Sequence, residues 1–120
     1  MLREMLQAKL HRACVRETRL EYPGSLTVSI DLLEQSGILP HQKVQVVNCA
    51  NGSRLETYVI PGERDQGEII VNGAAARWAQ PGDRVIIIAY CALDEAEIAS
   101  HQPAVLVLDE HNRVVERVVH

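Results

Sequence analysis

The sequence predicts a small, mainly β barrel crossed by short helices. Three observations predict it. Turn pairs recur at close intervals: Pro23-Gly24, Asn51-Gly52, Pro61-Gly62, Asn72-Gly73 and Pro81-Gly82. Short stretches rich in Val, Ile and Leu lie between them. The apolar fraction is 47%, but aromatics are only 3% and Phe is absent, so the core must be aliphatic. A chain of 120 residues is the size of one domain, and residues 1–120 are read as one.

Taken in order, residues 6–15 read as a long strand. Residues 26–30 and 44–46 alternate with period two, as half-buried strands do. Asn51-Gly52 joins Val46-Val47 to residues 55–59, which predicts a tight hairpin. Residues 69–71, 85–88 and 105–108 are apolar and β-branched, the composition of buried strands. Asn112 lies in a polar turn between Leu108 and Val114, predicting a terminal hairpin. Two helices are expected. One covers 31–36 and stops at Gly37. The other covers 74–80 and stops at Pro81, and its Ala74-Ala75-Ala76 start suits close approach of a ligand or a backbone.

Several function classes lose support. The formal charge is -4, and an acidic balance argues against a nucleic-acid partner. The first residues carry charges where a signal peptide needs an apolar stretch. The longest apolar run, 85–93, is far too short to span a bilayer, so no membrane partner is expected. Cys14, Cys49 and Cys91 are odd in number and form no C-x-x-C pair, which points to buried thiols in a reducing cytoplasm. His41, His101, His111 and His120 have no Cys or carboxylate partner at ligand spacing, so no metal is expected. P-loop, G-x-S-x-G and G-x-G-x-x-G patterns are absent.

The segment Tyr22-Pro23-Gly24-Ser25 carries a specific chemical possibility. Gly24 offers an unhindered carbonyl that can sit in strained torsions. Attack on it by the Ser25 hydroxyl turns the amide into an ester. Loss of the Ser25 α-proton then expels the ester and leaves a dehydroalanine, whose hydrolysis gives a pyruvoyl group. A Gly-Ser dipeptide alone is more often a simple turn.

The surrounding pattern raises the weight of the chemical reading. Stretches 5–12, 22–25, 47–54, 56–58, 61–64, 71–76 and 82–90 together resemble the bacterial aspartate 1-decarboxylases. The likeness runs in order from residue 1 to about residue 93, and the tail 94–120 carries no motif. Pro23 departs from the family pattern.

The resemblance implies a double-psi β-barrel, a homotetramer, and a zymogen that cuts itself into chains 1–24 and 25–120. It implies a pyruvoyl group made from Ser25, with no pyridoxal phosphate and no metal. It implies decarboxylation of aspartate to β-alanine for pantothenate synthesis. Some relatives need a helper protein to mature, which makes a maturation factor a candidate partner. By residue, the match implies Ser25 and Tyr58 as catalytic, and Tyr22, Gly24, Ser25 and Thr57 at the cleavage site. Lys9, His11, Arg54, Thr57, Asn72, Gly73, Ala74 and Ala75 match the substrate-binding residues.

These residue types suit the reaction. Decarboxylation leaves a carbanion next to nitrogen, and a ketone that forms a Schiff base with the substrate amine takes up those electrons. A phenol such as Tyr58 can return the proton. Arg54 can clamp a carboxylate with two parallel hydrogen bonds, Lys9 adds a point charge, and His11 a further donor. Two alternatives stay open at this stage: a non-enzymatic barrel that binds without cleaving, and a pyruvoyl enzyme for another amino acid such as glutamate.

Overall fold

The computed structural model describes residues 1–119. Nine strands form one mixed sheet: β1 (Arg3–Cys14), β2 (Glu17–Arg19), β3 (Leu26–Ser29), β4 (Lys43–Asn48), β5 (Arg54–Gly62), β6 (Ile69–Asn72), β7 (Arg84–Leu93), β8 (Ala104–Leu108) and β9 (Val114–Val118). Two α-helices, α1 (Ile30–Ser36) and α2 (Glu95–Ile98), and one 3-10 helix (Gly73–Trp78) complete it. The mainly β class with short helices is therefore what the chain adopts.

The sheet order is β2-β6-β3-β5-β4-β7-β1-β8-β9. Pairings β1·β8, β2·β6 and β3·β5 are parallel and the rest antiparallel. The ladder is not closed between β2 and β9, yet connectivity forces it to curl. β1 and β2 stand six places apart in the order, about 29 Å in a flat sheet. Only Val15 and Arg16 join them, a reach of about 11 Å. The sheet must bend round until these strands meet, as in the double-psi barrel. Val15 N donates to Asp83 O at 2.9 Å and Arg16 N to Ile69 O at 2.9 Å, so the joining residues stitch the turn before β7 to β6.

The core inside the curl is aliphatic, as the composition requires. Leu10, Val28, Val44, Val59, Ile69 and Ile87 are buried within it. Burying each such side chain contributes roughly 1.5–3 kcal/mol. α1 covers one end with Leu32 and Leu33. It stops where expected: Gly37 takes φ 77° and its N–H bonds Leu33 O at 2.8 Å.

Several expectations need correction. The Asn51-Gly52 hairpin exists, but residues 49–53 form its loop rather than a tight two-residue turn. The second helix is a 3-10 helix one residue earlier than expected, at Gly73–Trp78. The strand β2 and the helix α2 were not foreseen. α2 is held by a capping box: the Asp94 side chain accepts from Glu97 N while the Glu97 side chain accepts from Asp94 N. Cys49 is exposed in the hairpin loop, and Cys14 and Cys91 are only half-buried.

No helix among the described residues is long and apolar enough to cross a membrane. Nor do those residues group three or more His, Cys, Asp or Glu side chains where a metal could be held. His120 lies outside the described residues.

Candidate active site

The segment between β2 and β3 is shaped by backbone chemistry. Tyr22 N donates to Arg19 O at 3.1 Å, turning the chain after β2. Pro23 then fixes its own φ and pushes Tyr22 towards extended torsions. Gly24 has φ 33° and Ser25 φ 79°. A positive φ at a residue with a β-carbon costs roughly 1–2 kcal/mol. The Gly24–Ser25 peptide thus lies between two residues in the left-handed region, one of them strained.

Neighbouring elements hold that conformation. Ser25 is buried, and its carbonyl accepts from Asn72 N at 3.1 Å. Gly73, with φ 67°, packs directly on the segment: a β-carbon there would lie 2.9 Å from Gly24 Cα and N. The expected close approach is therefore real, but it belongs to Gly73. Ala74 is exposed, and Ala75 turns inward against the core.

Asn72 is the polar centre of the site. It is 1% exposed. Its Nδ2 donates to Thr27 Oγ1 at 3.0 Å and reaches Ser25 Oγ at 3.4 Å. Its Oδ1 is buried with no partner among the described residues, an acceptor left open beside Ser25. Sequence reasoning missed Thr27. It lies on β3, and only its contact with the distant Asn72 marks it.

β5 supplies side chains to both of its faces. Leu55, Thr57 and Val59 point inward, and Thr57 lines a small cavity with Ser25, Val71, Ala75 and Trp78. Arg54, Glu56 and Tyr58 point outward and are exposed. Tyr58 nonetheless reaches the turn, because its hydroxyl lies 3.8 Å from the point where a β-carbon on Gly24 would stand. Its ring packs tilted against His41 at 6.5 Å. Tyr22 is exposed on the other side, with its carbonyl 3.2 Å from that same point on Gly73.

Lys9 and His11 lie elsewhere, on β1. β1 stands three places from β5, about 14 Å across the sheet. Lys9 shares a row with Ile88, Gln45 and Glu56 on the outer face. Arg54 Nη1 donates to Gln45 Oε1 at 2.9 Å on the same face. Glu56 is taken up by Lys43 at 3.1 Å. His11 follows Lys9 on β1, and its Nδ1 is buried without a partner. Burial, then Lys9, Arg12 and Arg84, holds its pKa below the ordinary imidazole value. Within one chain, then, Gly24, Ser25, Thr57, Tyr58, Asn72, Gly73 and Ala75 come together, Arg54 shares the strand and outer face of Tyr58, and Lys9 and His11 lie on β1, three places away in the sheet.

Comparison with known proteins identifies a family. Residues 1–115 match the family model described as aspartate decarboxylase. The chain is 54% identical to the aspartate 1-decarboxylase of Shouchella clausii over 97% of its own length and 91% of that relative. It is 54% identical to the aspartate 1-decarboxylase of Bacillus subtilis over 95% of its length and 90% of the relative. The same identity holds for the Carboxydothermus hydrogenoformans protein of that name, over 97% and 91%.

Proposed function

The chain belongs to the aspartate decarboxylase family and releases CO2 from aspartate, and from that premise we propose that it makes its own catalytic group by cutting the Gly24–Ser25 bond. The observation that carries this reading is the strained, buried Ser25 at φ 79°, with Asn72 on its hydroxyl and Gly73 against Gly24.

The residues present fit a pyruvoyl group at position 25. Ser25 supplies the β-hydroxyl, and Gly24 brings no side chain to obstruct attack. The Ser25 Oγ–C bond forms at the Gly24 carbonyl carbon, the C–N bond breaks, and the hydroxyl proton passes to the released nitrogen. Removal of the Ser25 α-proton then breaks the ester C–O bond, and Gly24 leaves as a carboxylate. Water replaces the nitrogen of the resulting dehydroalanine and ammonia departs. Relief of the backbone strain favours the first step. Asn72 Nδ2 can steady charge gathering on Oγ, and Thr57 offers a second hydroxyl from the cavity side.

The pyruvoyl ketone, once made, supplies the electron sink for decarboxylation. The chain's own residues do the rest. Tyr58, with its hydroxyl beside Gly24, returns a proton to the substrate carbon. Asn72, Gly73, Ala74 and Ala75 form the wall that the substrate meets. Arg54 and Lys9 anchor the carboxylate that stays, and His11, neutral at pH 7, donates or accepts a hydrogen bond. The product on this reading is β-alanine, a pantothenate precursor, made in the cytoplasm.

The separation of Lys9 and His11 from Ser25 supports a homo-oligomer, on this reading a tetramer. The outer face between Lys9 and Arg54 carries half-buried Val47, Ile86 and Ile88. A neighbouring copy covering that face would bury them and bring cations towards a pyruvoyl centre. Incubating the purified protein with aspartate and following CO2 release tests the activity. Glutamate and other amino acids in parallel test the specificity. A protein that releases CO2 from none of them contradicts the reading.

A further inference from the structure

We infer that Thr27 is a positioning residue for the self-cleavage of the Gly24–Ser25 bond, acting by aiming the Asn72 amide at the Ser25 hydroxyl. This inference rests on the self-cleavage reading above.

Two independent contacts fix Thr27. Its hydroxyl accepts from Asn72 Nδ2 at 3.0 Å. Its methyl lies 2.9 Å from the point where a side chain at residue 62 would begin, so Thr27 Cγ2 occupies space that only Gly62 leaves open. Threonine has few χ1 choices. With the methyl seated on Gly62, the hydroxyl is held towards Asn72.

Asn72 depends on that hold. An amide side chain can present either its oxygen or its nitrogen to a neighbour. Here one Nδ2 hydrogen goes to Thr27 Oγ1, which turns the nitrogen side of the amide to Ser25 Oγ at 3.4 Å. Asn72 Oδ1, buried and unpartnered, makes no bond that would keep this orientation by itself. The Thr27 hydroxyl therefore makes the shorter of the two side-chain contacts that hold the Asn72 amide beside Ser25. Among the described residues no hydrogen bond joins Thr27 to Gly24, so its action runs through Asn72.

The isosteric variant Thr27→Val keeps the methyl on Gly62 and removes the acceptor. Thr27→Ser keeps the acceptor and removes the methyl. Cleavage is followed by denaturing mass spectrometry on freshly purified full-length chain, with thermal midpoints measured alongside. Thr27→Val should cleave about tenfold more slowly than wild type, the effect of losing one hydrogen bond of ordinary strength. Thr27→Ser should stay within about threefold of wild type. A Thr27→Val chain that cleaves at the wild-type rate overturns the inference, as does Thr27→Ser cleaving as slowly as Thr27→Val. Should Thr27→Val not fold, Thr27→Ala replaces it, and equal rates for Thr27→Ala and Thr27→Ser overturn the inference. A wild-type chain that stays whole overturns the self-cleavage reading itself, a different result.

Discussion

Gly73 rests on the backbone of Gly24 with no room for a side chain between them: a β-carbon on residue 73 would stand 2.9 Å from both Cα and N of Gly24. Gly73→Ala should therefore shift the scissile segment. The positive φ of 67° adds roughly 1 kcal/mol of strain for alanine. Cleavage of Gly73→Ala should fall at least about tenfold and its thermal midpoint should drop. A Gly73→Ala chain that matures like wild type would mean that the close approach does not shape the bond.

Tyr58→Phe separates cleavage from turnover. The hydroxyl lies beside Gly24 but makes no hydrogen bond to Ser25 in the uncut chain. Cleavage should survive, and CO2 release should slow by about 10²–10⁴-fold. Unchanged turnover would remove Tyr58 from proton delivery.

His11 makes a pH prediction with a definite sign. Burial, helped by Lys9, Arg12 and Arg84, lowers its pKa in the folded chain from the ordinary 6.5. The unfolded chain therefore binds a proton more readily, and stability rises with pH across that interval. The contribution of the neutral ring is complete above 6.5 and is lost as pH falls through the lowered folded value. Thermal midpoints of wild type should drop across this window, and those of His11→Gln should drop less. Identical pH dependence in the two proteins would contradict it.

Asn112 gives the C-terminal hairpin a structural task. It is buried with φ 61°, and its side chain bonds both backbone groups of Cys14. Oδ1 accepts from Cys14 N at 2.6 Å, and Nδ2 donates to Cys14 O and to Gly67 O at 2.8 Å each. It stands in for a strand where β1 ends. Asn112→Ala should destabilise the fold by about 2–4 kcal/mol in denaturant titration. A loss within experimental error would contradict this.

Much of the fold was legible because aliphatic strands announce themselves. Residues 69–71 and 85–88 could be little else, and Gly37 marked the end of α1. Glu17–Arg19 was not legible as a strand, because its residues are polar and only β6 pairs with it. Ala74-Ala75-Ala76 reads as α-helix by propensity, yet Gly73–Trp78 winds as a tighter 3-10 helix, with Gly73 at φ 67° packed on Gly24. Cys49 follows the Val46-Val47 stretch but sits exposed in the loop after β4. The grouping of Ser25 with Asn72 came from motif order. That Lys9 lies apart from them needs the register of β1, β7, β4 and β5, which no local pattern contains. Thr27 was hidden because its task depends on a partner 45 residues away.

The most direct test is the mass of the purified wild-type chain under denaturing conditions. Self-cleavage predicts two polypeptides, residues 1–24 and 25–120, the longer one lighter than a serine-initiated chain by the mass of one ammonia and reactive with hydrazines. Ser25→Ala should stay whole and release no CO2 from aspartate. A single wild-type chain of 13.4 kDa with no carbonyl adduct would contradict the proposed origin of the catalytic group.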